Sequence, residues 1–329
     1  MPKRLLLALL AGCLLTWHGL AESTRVTLIT DMEFSPDGAS LAVAGIGPGE
    51  RFSNPGLLQV HDLRKRTPPL SIRGQKRFSS VAYRPDGKVL ATGSEDGTVV
   101  LWSATTGKKQ MALAGCKSQV WEVAYSPSGR QVAAASGWSQ GLTILWSVGP
   151  GKAEWSSQLP SDPFYSVTFS PDGSLLAAGD RTGTARVWTL LTNEQILELK
   201  GHKGWVTEVA FSQDGRYLAT LAGSEVRLYD ITSGEQVKTL ADPSQQLHSL
   251  AWFPDGTRLI AGGINYDESP YRGTARVWEV ESGKLAFSLE GHKGVVRVAV
   301  SPTGDRIATG DEEGRIRLWG SDGSKAGGL

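Results

Sequence analysis

Residues able to do chemistry are few in this chain and poorly placed for it. GWSQG, Gly137 to Gly141, has the G-x-S-x-G spacing of a hydrolase nucleophile. That chemistry needs Ser139 on a sharp strand-to-helix turn, facing a base and oxyanion donors. The flanks QVAAAS and LTILW read instead as two strands joined by a loop. The histidines His18, His61, His202, His248 and His292 show no pair at zinc-ligand spacing. Cys116 has no second thiol once the apolar leader containing Cys13 is set aside, so it reads as a small buried side chain. Neither a Gly-rich phosphate loop nor an EF-hand loop is present, and the acids sit mainly in turns, where Asp has a local hydrogen-bonding reason to be. The expectation is a chain with no catalytic residues, no cofactor and no metal.

The elements that would position any site are repeats. YRPDGKVLATGSEDGTVVLW, residues 83–102, is two alternating apolar strands around a Gly/Asp turn, a hairpin that is marginal alone in water. Its opening turn recurs as FSPDG at 34, YSPSG at 125, FSPDG at 169, FSQDG at 211, WFPDG at 252 and VSPTG at 300, at spacings of 41 to 49 residues. Such a period implies one small sheet per repeat. Each repeat closes on an aromatic strand end, at Trp102, Trp146, Trp188, Tyr229, Trp278 and Trp319, with His61 in that slot of the first. A TG- or SG-type turn and a fourth short strand follow, and KGHKG and EGHKG stand at 201 and 291.

The co-occurrence of PDG, LW and GH at fixed offsets over about residues 26–329 resembles the WD-repeat (WD40) family, in an exported bacterial-type form. The resemblance implies an all-β, seven-bladed β-propeller with four-stranded antiparallel blades. It also implies a hydrogen-bonded tetrad of His, Ser/Thr, Asp and Trp in each blade, and no blade has all four. Blade two has Thr92, Asp96 and Trp102 with Gln75 in the His position. Blade five has His202, Thr220 and Tyr229 without the Asp, and blade seven has His292, Thr309 and Trp319 with Glu313 for Asp. Stability is therefore expected to rest on apolar packing. The ring could be closed by a strand from the N-terminal side or by the tail GSDGSKAGGL. A single GKAEW at 151–155 resembles the Trp-docking repeats of quinone-cofactor propellers, too little for a cofactor site.

Departures from the repeat point to binding. GIGPGERFSNPG (45–56) and GGINYDESPYRG (262–273) are insertions between second and third strands, and in a closed ring they flank blade seven and Arg297. Near the first strands, Phe78 and Phe164 occupy the slot filled elsewhere by Val120, Val206 and Val295, and so belong to the core. Trp121, Tyr165, Trp205 and His248 occupy variable slots. With Arg51, Tyr266, Tyr271 and Arg297 they form the expected partner-binding set, Tyr and Trp being frequent interface anchors.

The N-terminus MPKR, an uncharged LLLALLAGCLLTW and small residues around Ala21 read as an export signal. Cleavage after Ala21 is favoured, and LAGC also fits lipidation at Cys13. The domains are thus a signal over 1–21 and one propeller over 22–329. Loss of Lys3 and Arg4 with no acid takes the formal charge from +1 to −1, which gives no reason to expect nucleic acid. The chain is expected to be a periplasmic or secreted, non-catalytic scaffold for a protein or peptide partner. It would be monomeric within a complex and touch a membrane only through a Cys13 anchor. An extracytoplasmic enzyme or small-ligand binder on the same face is the alternative. Mass spectrometry of the mature chain is expected to give Glu22 at its N-terminus; a diacylglyceryl-modified Cys13 would establish the anchor instead.

Overall fold

The alternation in each repeat gives strands whose apolar residues point to both faces of a thin sheet, so each sheet needs a neighbour on either side. The computed structural model describes residues 25–48, 55–65, 67–138, 141–149, 151–159, 162–267 and 269–329. It is all-β: seven four-stranded antiparallel sheets span residues 28–73, 78–113, 120–159, 164–199, 208–241, 246–293 and 297–328. Blade seven draws its fourth strand, Lys325–Gly328, from its own tail. The two insertions lie between second and third strands as expected.

Seven apolar clusters hold the sheets together, one at each interface between neighbouring blades. Ala42, Leu58, Phe78 and Leu90 join blades one and two. At the seam, Val26, Ile29, Met32 and Leu41 of blade one meet Ala299, Ala308 and Ile316 of blade seven, so the ring is closed. Each strand-end aromatic enters the interface with the preceding blade: Trp146 and Trp188 pack on blades two and three, Tyr229, Trp278 and Trp319 on four, five and six.

The turns tile in the same sense. Gly38, Gly87, Gly129, Gly173, Gly215, Gly256 and Gly304 of the PDG-type turns all have φ between +66° and +73°, a backbone region open mainly to glycine. The Asp before the Gly fastens its turn: Asp37, Asp172 and Asp214 Oδ1 each accept from a Ser hydroxyl at 2.6 Å. A side chain on Gly87 would meet Pro36 of the previous turn, one on Gly215 would meet Pro171, and one on Gly38 would meet Pro302 across the seam.

The polar networks differ from the pattern implied by the family resemblance. In blade seven Trp319 Nε1 donates to Thr309 Oγ1 (2.8 Å), which also bonds His292 Nε2 (2.7 Å). Its buried carboxylate is Asp311, paired with Arg317 at 3.1 Å, whereas Glu313 lies outside on Lys293 and Arg315. Blade five does have a carboxylate: Glu225 meets His202 Nδ1 at 3.2 Å while His202 Nε2 meets Thr220 at 2.7 Å. In blade two Trp102 Nε1 donates to Thr92 Oγ1 (2.8 Å), but Asp96 is exposed and bonds only its own turn, at Thr98. The third-strand slot of Arg317 is Arg186, Arg227 and Arg276 in blades four to six, on Asp180, Glu225 and Asp242.

A girdle runs round the channel. In six of the seven first strands the residue before the second core apolar residue reaches the backbone of the next blade. Asp31 accepts from Val81 N–H (2.9 Å), Ser80 from Val123 (3.2 Å), Glu122 from Val167 (3.0 Å), and Ser166 from Val209 (2.9 Å). Glu208 accepts from Leu250, and Ser249 from Val298 (3.2 Å). The series stops at Arg297, which cannot accept. Met32 N–H bonds Asp31 Oδ1 instead (2.8 Å), and Arg297 Nη1 donates back to the His248 carbonyl (2.5 Å). A second carboxyl, Glu33, takes the Tyr83 N–H.

Burial is the main cause that pushes Glu33 and Glu122 up to about 8 from 4.5, with neighbouring acids adding to it, and raises Glu208 and Asp31 as well. A carboxyl whose folded pKa lies above its unfolded one stabilises fully below the unfolded value, and that stability is lost as pH rises towards the folded value. The histidines His61, His202, His248 and His292, pushed down to about 4 mainly by desolvation, act oppositely, and their effect is complete by about pH 6.5. Between about pH 6.5 and 8, Tm is therefore expected to fall. Glu33→Gln retains an acceptor for Tyr83 and should lessen that fall by about 2 to 5 °C in calorimetry. Trp319→Ala should cost about 3 to 5 kcal/mol in denaturant unfolding, by emptying the interface between blades six and seven.

Candidate functional site

Five of the seven first strands carry an extra residue just before the girdle position. Strand pairing slips at Ile29/Asp31, Phe78/Ser80 and Phe164/Ser166, at Leu247/Ser249, and opposite Glu122 and Val120. The residues inside these β-bulges, among them Trp121, Tyr165 and His248, are released from the alternation and turned towards the mouth of the channel. Phe78 and Phe164 are buried as expected. Blade seven is one residue shorter at this point and pairs without a slip. Val296 therefore fills the core slot, and Val295, assigned there on sequence, lines the mouth.

The mouth opens into a cavity of about 560 Å³. Of the residues expected to bind a partner, Trp121, Tyr165, Trp205, His248 and Arg297 line it together. Tyr266 and Tyr271 do not: they pair edge to face at 5.5 Å on the blade-six insertion, each about half exposed. Arg51 and Cys13 lie outside the described residues.

One side of the cavity is a continuous aromatic wall from three blades. Trp138 lies 5.5 Å from Trp121, Trp121 meets Tyr165 edge to face at 5.2 Å, and Tyr165 stacks on Trp205 at 5.4 Å. The Arg181 guanidinium sits 5.2 Å over the Trp205 ring. Trp121 is fixed by its Nε1 bond to Gly137 O (2.8 Å), and Trp138 by Gln119 Oε1 (3.2 Å). Trp138 and Trp205 are 64% and 51% exposed, so the wall ends in open rings. Burial raises the Tyr165 phenol above its ordinary range. The floor holds Asp31, Glu122 and Glu208 of the girdle with Arg297.

Sequence reasoning missed Trp138, Arg181 and the floor carboxyls. Trp138 sits in GWSQG, which joins Gln131–Ser136 to Gly141–Ser147; Ser139 is outside the described residues. The floor had a signal: aligned on the core apolar residues, the slot reads Asp, Ser, Glu, Ser, Glu, Ser, Arg round the ring. Among the described residues no group of three or more His, Cys, Asp and Glu could hold a metal ion. Cys116 is pushed up to about 11 by burial, which leaves its thiol unreactive at neutral pH.

A family model described as the IFT122 first beta-propeller matches residues 28–267, and one for the WD domain, G-beta repeat, matches 283–320. Among curated proteins the chain is similar to Protein tipD of Dictyostelium discoideum, 31% identical over 40% of this chain and 21% of that one. It is also similar to the serine-threonine kinase receptor-associated protein of the same organism, 31% identical over 41% of this chain and 43% of that one. The guanine nucleotide-binding protein subunit beta of Oryza sativa subsp. indica is 24% identical over 95% of this chain and 76% of its own length. The chain thus spans less than half of the length of the first two relatives. With seven sheets closed into one ring and the larger family model covering most of the sequence, the chain belongs to the WD-repeat β-propeller family, of the type of the IFT122 first beta-propeller.

Proposed function

We propose that this propeller is a non-catalytic binding platform that seats a segment of a protein or peptide partner on the mouth of its channel. The observation that carries the reading is the open aromatic wall from Trp138 to Trp205, held rigid by indole hydrogen bonds and stacking. Exposed, prefixed Trp and Tyr side chains contribute contact area at small entropic cost. WD-repeat propellers generally serve as protein-interaction scaffolds, and relatives such as the serine-threonine kinase receptor-associated protein carry an association in their names. Residues 1–21 support export, with Cys13 as the alternative anchor, and the platform would then work outside the cytoplasm as a monomer within a complex.

The small-ligand reading draws on the convergent carboxyls of the floor and on a cavity of drug-like size. Against a catalytic role, Asp31, Glu122 and Glu208 each accept a backbone N–H of the next blade and so already serve the ring. Peptides selected by random-peptide display on the full chain should lose about tenfold or more in affinity with Trp205→Ala or Trp121→Ala. Tm should move by less than about 2 °C for Trp205→Ala, since surface substitutions cost little. Affinity that is indifferent to both substitutions would overturn the platform at this mouth.

A further inference from the structure

The charges around the cavity are unequally occupied. Arg77 is held by Glu95 at 2.9 Å, Arg181 lies over Trp205, and Arg297 gives Nη1 to the His248 carbonyl. Each guanidinium thus has one such contact, while Arg77 Nε and Arg297 Nε are buried without a partner among the described residues. The floor carries three carboxyls, Asp31, Glu122 and Glu208, facing the single guanidinium of Arg297. Asp31 accepts from Val81 and Met32, and Glu122 from Val167 and Ser166. Glu208 accepts from Leu250 N–H and lines the cavity. Beside it stands the aromatic wall, whose ring Trp205 already holds one guanidinium against it. Acceptors beneath a wall of π-faces suit a positive charge on an apolar stem.

Resting on the platform reading, we propose that the mouth takes a cationic side chain, an arginine or lysine of an extended partner segment. Its stem lies along Tyr165 and Trp205 and its charge is directed at Glu208 and Glu122.

The site's titration adds a second readout. The groups facing the floor are Asp31 and Glu33 from blade one, Glu122 from blade three, Glu208 from blade five, His248 from blade six and Arg297 from blade seven. Arg77, Arg181 and Glu312 stand at the rim. Burial holds Glu122 and Glu208 protonated well above the usual carboxylate range, and His248 is neutral at pH 7. An entering cation favours the ionised carboxyls, so binding releases protons and tightens as pH rises from about 6 to 8.

The test uses the full chain and a random-peptide display library. Selected peptides should share one basic position. Replacing that residue by citrulline (for arginine) or acetyl-lysine (for lysine) should weaken binding about tenfold or more in calorimetry. Glu208→Gln, which keeps an acceptor for Leu250, should cost a similar factor and lower the proton release read from buffer-dependent heats, with Tm recorded to show a folded ring. Peptides that need Trp205 and Trp121 but bind equally after the neutral swap, or that are acidic, would overturn the cation while leaving the platform. Peptides indifferent to both aromatics, or none above a bare-matrix control, would overturn both.

Discussion

Every feature of this molecule depends on apolar contact between neighbouring sheets. A four-stranded blade whose second strand is buried along its whole length, as Val89–Ser94 is, has two greasy faces and no means of covering either. Seven blades solve this by covering one another, and the solution works only if the seventh meets the first. The seam cluster is therefore as important as any other, and it is built from ordinary material: Met32 and Ile29 stand where a side chain on Gly310 would have to go. Because blade seven completes itself with Lys325–Gly328, closure is side-chain packing between complete blades, and among the described residues no strand is shared across the seam. The Arg25 guanidinium on the Leu329 carbonyl, 3.3 Å away, adds a local tie.

Packing fixes the distance between blades, and the girdle fixes their register. A carboxyl or hydroxyl that accepts a neighbour's N–H satisfies an inner-strand donor that water would otherwise have to reach. Serines do this without charge. The carboxyls at Asp31, Glu122 and Glu208 do the same and in addition bring ionisable groups into a narrow, poorly solvated channel, with Arg297 as the one guanidinium among them. The same residues thus serve the ring and give its opening an acidic floor, so the site and the scaffold cannot be separated residue by residue.

The fold was legible because each repeat writes its own punctuation: a PDG turn needing positive φ, an aromatic that must reach the previous blade, and a spacing that admits one sheet. What was not legible lies in relations between repeats. Val295 and Val296 are equal candidates along the chain, and only burial shows that Val296 fills the core slot. Glu225 looks like a surface residue of a tight turn, but the chain folds it under His202. Asp311 and Glu313 differ by two positions, and burial alone tells which one Arg317 meets. The exposed Tyr266 and Tyr271 looked like neighbours of the site from ring order, yet they satisfy each other on the blade-six insertion. The carboxyl floor is not legible along the chain, because one acid per repeat is ordinary there and becomes a cluster only when the ring closes.

The bulges explain how a site can vary on so uniform a frame. A residue inside a bulge takes no part in the alternation of its strand, so Thr30, Ser79, Trp121, Tyr165 and His248 occupy equivalent places with little cost to the ladder beneath them. Small residues there are absorbed locally: the Thr30 and Ser79 hydroxyls bond the next blade's backbone at 2.7 and 2.6 Å. Large ones cannot be absorbed and must project. Blades three to five, carrying Trp121, Tyr165 and the preceding-loop Trp205, build the wall, and blades one and two leave the opposite side low. That asymmetry gives a circular molecule a direction: a ligand at its centre meets rings on one side and short hydroxyls on the other, above a floor whose single cation marks blade seven.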